Sequence, residues 1–466
     1  MEFDSHSIKL ISMYLPQYHP IPENDQWWGK GFTEWTNVRK ATPRFPGHYQ
    51  PHVPGQLGYY DLRDPGTRAA QADLARSHGI HGFCYYHYWF NGQRLLETPF
   101  NEVLKSGEPD FPFCLCWANE NWSRRWDGSE QEILIAQNYS DEDSLAFIES
   151  LVPAFRDSRY IRVNGKPLLL VYRTGLLPDP KRTADIWRDA MLKAGVGDLY
   201  LVRVENFMDG SEVLPSEIGF DAAVEFAPYW RAAGGTIESL AEVGGPPVSL
   251  KNMYVYDYDR GVEDMLVRQV PDYPFFRGVF PSWDNSARRK NEPSIVVNSS
   301  PEKFAFWLAT VILQTLEKRQ GDERMVFINA WNEWGEGCHL EPDERYGMAW
   351  LEAVRSAVAC GRYYDSVLAI NCQRRVDNDS REGWYTLFSE IFSSEAQNAS
   401  PEELLAAIIP LVKTGQSGNG EKEIIRMLSK ISARNEATLT AMTASLSWRL
   451  TAPIRGLLDR FRKLSD

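Results

Sequence analysis

Eight short apolar runs recur between residues 8 and 331, and they limit the possible folds more than any other feature of the chain. They are Lys9–Leu15, Gly82–Tyr88, Phe113–Ala118, Pro167–Arg173, Leu199–Val204, Ala222–Ala227, Phe276–Ser282 and Met325–Trp331. Such runs, continuously apolar and bounded by turn residues, read as strands buried on both faces. Helical periodicity falls between several of them, at Thr67–His78, Pro99–Lys105, Asp143–Phe155, Thr183–Ala194 and Pro301–Lys318. Helix starts carry cap and first-turn signals, as at Asp64-Pro65 and Ser300-Pro301-Glu302. Eight strands alternating with helices predict an α/β chain folded as a (β/α)₈ barrel, with its site at the C-terminal strand ends. A doubly wound sheet is the competing architecture, but no GxGxxG follows the first strand.

The barrel predicts where functional residues gather. Strand one ends in Tyr14, Gln17, Tyr18 and His19, strand two in Tyr86, His87, Tyr88 and Trp89. Strand three runs into Trp117, Asn119, Glu120, Asn121 and Trp122; strand four ends at Tyr172 and Arg173. Glu205 and Asn206, Glu225, and Trp283 with Asp284 follow strands five to seven. The last strand opens into Ile328-Asn-Ala-Trp-Asn-Glu-Trp-Gly-Glu-Gly, with Trp331, Asn332, Glu333, Trp334 and Glu336 close together. Two carboxylates set between indoles at the mouth of a buried strand are expensive to a protein that only has to fold. Glu333 and Glu336 are therefore the expected catalytic pair. The expected substrate contacts are Tyr14, Gln17, His19, Trp28, Glu34, Trp35, Tyr86, His87, Trp89, Trp117, Asn119, Glu120, Trp122, Tyr172, Trp283, Trp331, Asn332 and Trp334.

Each of these has a blander reading. Glu34 and Glu120 can staple loops, the histidines can sit satisfied in the core, and half of the tryptophans can be barrel packing. Asp257-x-Asp259 matches the metal-binding DxD of nucleotide-sugar transferases, a pattern short enough to arise often by chance. No H-x-x-H and no second cysteine pair completes a metal site, so neither metal nor cofactor is expected.

Composition narrows the partners. A formal net charge of −13 argues against nucleic acid, and 16 tryptophans suit flat stacking surfaces for a neutral polyol such as an oligo- or polysaccharide. The six cysteines, half of them in strand-like runs, fit a reduced cytoplasmic chain. The first residues show neither a basic n-region nor an apolar h-region, and no run of about 18 apolar residues appears. Two insertions, Pro20–Asp61 and Tyr229–Tyr273, read as lids or binding loops. Three regions are expected: a barrel over 1–365, a helical extension over 366–415, and a linker with a basic amphipathic helix over 416–466. That helix fits an anionic inner membrane surface, an assembly partner, or packing on its own barrel.

Five motifs carry a family resemblance: LPQYHPIPENDQWWGKGFTEWTNVRKA, GHYQPHVPGQLGYYDLRDP, GFCYYHYWFNGQRLLETPFNEVL, FCLCWANENWSRRWDG and NAWNEWGEGCHLEPD. The stretch 8–365 resembles the WbsX-like family of bacterial polysaccharide-assembly proteins. It is similar in turn to the endo-α-mannosidases of glycoside hydrolase family ninety-nine, which are (β/α)₈ barrels. The resemblance implies a retaining glycoside hydrolase or transglycosylase acting on an O-antigen or capsule-type polysaccharide. Alternatives are a glycosyltransferase of lipopolysaccharide synthesis and a non-catalytic glycan-binding scaffold. It also implies roles: Glu333 as the base that deprotonates the sugar's own 2-hydroxyl, giving a 1,2-anhydro sugar, and Glu336 as the acid and later base. Asn332 and Tyr14 are candidate donors to Glu333. Where those mannosidases carry histidine between Trp and the second Glu, this chain has Gly335.

Overall fold

The computed structural model describes residues 8–124, 129–206, 213–359 and 361. All eight runs are strands: β1 Lys9–Tyr14, β2 Gly82–Phe90, β3 Phe113–Trp117, β4 Lys166–Val171, β5 Tyr200–Glu205, β6 Ala222–Glu225, β7 Phe275–Val279 and β8 Met325–Ile328. Every neighbouring pair is parallel, and β1 pairs with both β2 and β8. The sheet therefore closes into the (β/α)₈ barrel.

Period-two alternation sorts each strand's side chains. Met13, Leu170, Val204, Val224 and Val279 bound a small void inside the barrel. The alternate set, including Tyr14, His87 and Trp117, faces the surrounding helices.

Helices start where a side chain meets their free N–H groups. Asp64 accepts from Gly66 and Thr67 before Pro65–Ser77, Ser140 from Asp143 before Asp141–Ser150, and Asp179 from Arg182 before Pro180–Lys193. The helix expected over Asp143–Phe155 is two pieces, Asp141–Ser150 and Val152–Arg156, because Pro153 has no N–H for a continuous ladder. Phe147 and Trp187 join the helices that follow β3 and β4, with centroids 5.4 Å apart.

The insertions are built parts rather than loose lids. Thr236–Ile237, Tyr254–Asp257 and Ser294–Val297 form a three-stranded sheet. Its apolar face holds Ile237, Leu240, Leu250, Val255 and Ile295, joined by Phe45 from the first insertion. Asp257 of the DxD pattern caps the helix Tyr258–Val267 and also accepts from Asn298 at 2.8 Å. That carboxylate is a structural cap.

The chain divides into two compact units. One contains Lys9–Ser300 and Arg319–Glu352, hence all eight strands; the other includes Pro301–Lys318 and the residues from Ala353. The expectations for 366–415, for 416–466 and for Cys360 and Cys372 lie outside the described residues. Cys84, Cys114, Cys116 and Cys338 are buried free thiols. Among the described residues no helix is long and apolar enough to cross a membrane.

Candidate active site

Beyond β8 the chain makes a small antiparallel hairpin in which Asn332 pairs with His339 and Glu333 with Cys338. Trp334–Glu336 form its 3₁₀ turn, and Gly337 closes it at φ 58°, a left-handed conformation suited to glycine. A Cβ on Gly337 would also come within 3.0 Å of Asp284. The spacing of the motif follows from this: Glu333 ends one arm and Glu336 ends the turn.

Three anchors hold the hairpin. The Asn332 side chain clasps the β1 exit, accepting from Leu15 N–H at 2.7 Å and donating to Leu15 C=O at 3.0 Å. The Tyr18 hydroxyl accepts Trp334 N–H at 3.2 Å, and Asp284 N–H donates to Glu336 C=O at 2.6 Å. Asp284 also caps the 3₁₀ turn Asn285–Ala287 that leads into Arg288. Burial works against the charge on Asp284, but His48, Ser286 and His52 outweigh it and hold the carboxyl below its ordinary value.

Arg288 is the centre of the site. Its Nε donates to Glu34, its Nη2 to Glu333 and its Nη1 to Glu336, each at 2.7 Å. One planar cation thus brings three carboxylates together. The Glu34 side chain is fully buried and that of Glu333 nearly so, while Glu336 is 23% exposed and is the member that meets solvent. Burial raises both glutamates of the motif against the pull of Arg288. Glu333, with Glu336 and Glu34 as like-charged neighbours, is pushed up to about 8. The crowded pair therefore favours holding a proton, with Glu333 and Glu336 both raised above the ordinary carboxyl value. Burial beside two other carboxylates is the physical reason.

Gly335 explains the geometry of the clamp. A Cβ there would lie 1.8 Å from Glu34 Oε1 and 2.7 Å from Arg288 Nε. The Glu34–Arg288 pair occupies the volume that any side chain at 335 would need.

The phenols of Tyr86, Tyr88 and Tyr172 complete the setting. Burial raises all three hydroxyls well above the ordinary value, with further contributions from Glu333 on Tyr86 and Tyr88 and from Glu120 and Glu336 on Tyr172. They stay neutral donors near the carboxylates. The structure thus gathers Glu34, Tyr86, Tyr172, Glu333 and Glu336 of the expected residues. Arg288 was missed, and Tyr88, named at the exit of strand two, was left out of the expected contacts.

Several other expected contacts are engaged in packing or hydrogen bonds of their own. Tyr14 is buried on the outer face of β1 and donates to Gln71 at 2.7 Å, so it is no donor to Glu333. Asn332 spends its side chain on Leu15, as above. His87 packs its ring edge against Phe147, Trp89 donates to Asp143 at 2.9 Å, and Trp117 stacks on Phe147 at 4.4 Å. Burial lowers His87 to about 3, which keeps it neutral. Trp331 is buried against Phe83, and Trp334 stacks on His339 with centroids 3.7 Å apart. Trp35 is buried among Tyr18, Tyr59, Tyr60 and Trp334 and donates to Tyr60 C=O at 2.8 Å. Trp28 lies against Phe32, Trp122 against Trp27, Tyr88 and Phe90, and Trp283 edge-on to Trp230.

The remaining expected residues fix loops. Asn119 bridges the exits of β3 and β4 through Arg173 N–H and C=O, and Glu120 pairs with the Arg173 guanidinium. Gln17 C=O accepts Glu34 N–H at 3.0 Å, and the buried Gln17 Nε2 has no hydrogen-bond partner. His19 Nδ1 donates to Pro16 C=O at 3.0 Å, and burial lowers this histidine to about 4.

Another buried carboxylate, Glu341, was also missed. It accepts from Trp334 Nε1 at 2.6 Å, Tyr60 Oη at 2.8 Å and Gln71 Nε2 at 2.7 Å. Burial raises it to about 7 against those three hydrogen bonds.

Residues 10–354 match the family described as "Glycosyltransferase WbsX". The chain belongs to this family. Two curated relatives, each named "Uncharacterized protein WxcX", come from two strains of Xanthomonas campestris pv. campestris and are 46% identical over 349 residues. The match covers 75% of this chain and 49% of each relative, so this WbsX-family chain spans about half the length of the curated relatives it matches. Among solved structures it is similar to the family ninety-nine endo-α-mannosidase of Bacteroides thetaiotaomicron, at 15% identity and a TM-score of 0.47, covering 78% of this chain and 98% of that one. It is also similar to a "Glycoside hydrolase-like protein", at 14% identity and a TM-score of 0.48, covering 76% and 95%.

Proposed function

We propose that this WbsX-family barrel is a retaining carbohydrate-active enzyme that cleaves or transfers glycosidic bonds within a bacterial surface polysaccharide. The observation that carries the reading is the single guanidinium joining Glu333 and Glu336 at the exit of β8. Glycosidic cleavage needs one carboxyl to give a proton to the leaving oxygen and a second to handle the nucleophile. Glu336, the partly exposed member, is the acid toward the leaving oxygen and then the base toward the acceptor. Glu333 takes the proton of the sugar's 2-hydroxyl, whose oxygen then attacks the anomeric carbon to give a 1,2-anhydro sugar. For that step Glu333 has to lose its proton when substrate binds, and the Arg288 hydrogen bond favours the resulting carboxylate. Tyr86, Tyr88 and Tyr172 offer neutral hydroxyls to a polyol without adding charge.

The family description favours a second reading, in which the same pair delivers the sugar to a glycan acceptor instead of water. Incubating the protein with a candidate surface polysaccharide, with and without added oligosaccharide acceptor, and weighing the products by mass spectrometry separates the two. Shortened chains alone support hydrolysis, and lengthened acceptors support transfer. Wild-type turnover that survives in both Glu333→Gln and Glu336→Gln would rule out either chemistry at this pair.

A further inference from the structure

A second constellation lies behind the hairpin, apart from the three carboxylates. His52, His339 and Asp343 are 6%, 1% and 2% exposed, and one ligand atom from each lies within 4.8 Å of the other two. His339 Nδ1 is 3.0 Å from the carbonyl oxygen of Glu341. A carbonyl only accepts, so Nδ1 carries the hydrogen and Nε2 presents its lone pair inward. His52 Nδ1 lies 2.8 Å from that Nε2. Asp343 Oδ1 accepts Tyr346 N–H at 2.5 Å, but Asp343 Oδ2 is buried with no hydrogen-bond partner and stands 3.9 Å from His339 Nε2.

A buried carboxylate oxygen without a donor, facing imidazole nitrogens, is an unfavourable arrangement that a cation relieves. The geometry points to a divalent metal site formed by His52 Nδ1, His339 Nε2 and Asp343 Oδ2, with zinc as the ion that suits two imidazoles and one carboxylate. Zinc–nitrogen bonds of about 2.0–2.1 Å at a tetrahedral angle place two ligand nitrogens roughly 3.3 Å apart. The imidazoles therefore separate slightly from their present contact, and Asp343 closes in by a comparable amount. On binding, the His52 proton moves from Nδ1 to Nε2, so the ring stays neutral and no net proton is lost. A water completes the fourth position. The Glu341 carbonyl that orients His339 is the kind of outer partner that metal-bound histidines use.

The surroundings suit a structural ion. The His52 ring stacks on Tyr49 at 4.2 Å and the His339 ring on Trp334 at 3.7 Å, which fixes both planes. Gly55 N–H donates to Pro342 C=O at 2.7 Å and Glu344 N–H to Val53 C=O at 2.9 Å, stitching the two ligand-bearing segments together. His339 pairs across the hairpin with Asn332, the residue before Glu333. The metal thus ties the first insertion to the hairpin that bears the carboxylates. No sequence spacing reveals this site, because His52 and His339 are 287 residues apart.

The test uses the full chain without an affinity tag, stripped with chelator and then titrated with Zn²⁺, Co²⁺ or Mg²⁺. One equivalent of Zn²⁺ should be retained in native mass spectrometry, and the Tm should rise by several degrees with Zn²⁺ but not with Mg²⁺. Co²⁺ should give the visible absorption of a tetrahedral N/O site. Asp343→Asn and His52→Gln should each weaken Zn²⁺ retention at least tenfold. A wild-type chain that neither retains Zn²⁺ nor changes its Tm overturns the site. So does retention that is unchanged in both variants, since the ion would then be bound elsewhere.

Discussion

Two groups of buried carboxylates share the end of this barrel and are stabilised in opposite ways. Glu341 sits among three neutral donors, Trp334, Tyr60 and Gln71. Glu34, Glu333 and Glu336 sit around one cation, Arg288. The first arrangement satisfies its acceptors with groups from separate parts of the chain, so it braces shape. The second leaves more negative charge than its cation can neutralise, an arrangement that folding alone does not call for. In the proposed reaction its value is in chemistry, where a proton has to be held ready to leave. The difference between a brace and a reactive centre thus lies in the donors around each carboxylate, more than in how deeply it is buried.

The largest effect should separate the two groups outright. Glu336→Gln and Glu333→Gln should each lower turnover on the polysaccharide by about 10²–10⁴-fold, the usual loss of general acid–base help. At pH 8 the Tm should stay level or rise, because each change then removes a buried charge from a crowded site. Glu341→Gln should do the reverse. At pH 8, where Glu341 is ionised and only accepts, the added N–H₂ sets donor against donor, at about 1–3 kcal/mol of stability, while the turnover of the folded protein is retained. A Glu341→Gln protein as inactive as Glu336→Gln, with an unchanged Tm, would erase the distinction.

Next in size is the clamp itself. Arg288→Met removes the cation shared by Glu34, Glu333 and Glu336, and breaking a buried pair typically costs about 3–5 kcal/mol. The loss should be deepest at alkaline pH and shrink in acid, where the carboxylates can take up protons. Thermal melts at pH 5 and pH 8 check this. A deficit equal at both values would mean that the guanidinium acts by packing and not by charge.

The fold was legible because its signal is local and repeated. Each apolar run is long enough to be a strand, and the eight together admit few closures. Glu333 and Glu336 were legible for a similar reason, as charge placed where a strand emerges. The tryptophans and histidines were harder. Tyr86 and His87 are adjacent in the sequence, yet one turns toward the carboxylates and the other toward Phe147. A list of strand-end residues cannot separate the two faces, although the period-two rule could have. Once Tyr86 is placed at the site, Tyr88 follows and His87 and Trp89 drop out. Arg288 gave no such handle. It lies 45 residues from Glu333 and 254 from Glu34, in a polar stretch without periodicity, and only tertiary structure brings the three together. Gly335 was visible as a departure from the mannosidase motif, but its meaning required Glu34 to be seen in the vacated space.

That space offers a finer test of the clamp. Gly335→Ala drives a methyl into Glu34 Oε1, so the Glu34–Arg288 pair has to give way. The expected loss is about 1–3 kcal/mol, in the range of ordinary overpacking. In the double variant Glu34→Ala/Gly335→Ala the worst overlap disappears, leaving the approach to Arg288 Nε, and the second substitution should destabilise less than it does alone. Strictly additive losses would show that backbone strain at 335, not the carboxylate, is the obstacle.

The smallest expected effect is one of slope, and it sharpens the contrast between the two groups. A carboxyl whose folded pKa is raised keeps its proton in the native state after the unfolded chain has lost it. Its stabilising contribution is complete below the ordinary value of about 4.5 and is lost as pH rises toward the folded value. For Glu341 that decline should run to about 7, and for Glu333 to about 8. The contribution of these two carboxyls should therefore fall between pH 5 and 8, against the opposite slope below about 6.5 from buried histidines such as His19 and His87. Glu341→Gln should flatten the lower part of that fall and leave the part between pH 7 and 8 intact. Glu333→Gln has no group to titrate there, so its Tm should draw level with, and then pass, the wild-type Tm as pH climbs to 8. Parallel curves for wild type and Glu333→Gln would mean that Glu333 ionises in the folded protein as readily as in the unfolded chain. Arg288 would then outweigh burial, and the proton held among these carboxyls would belong to another of them.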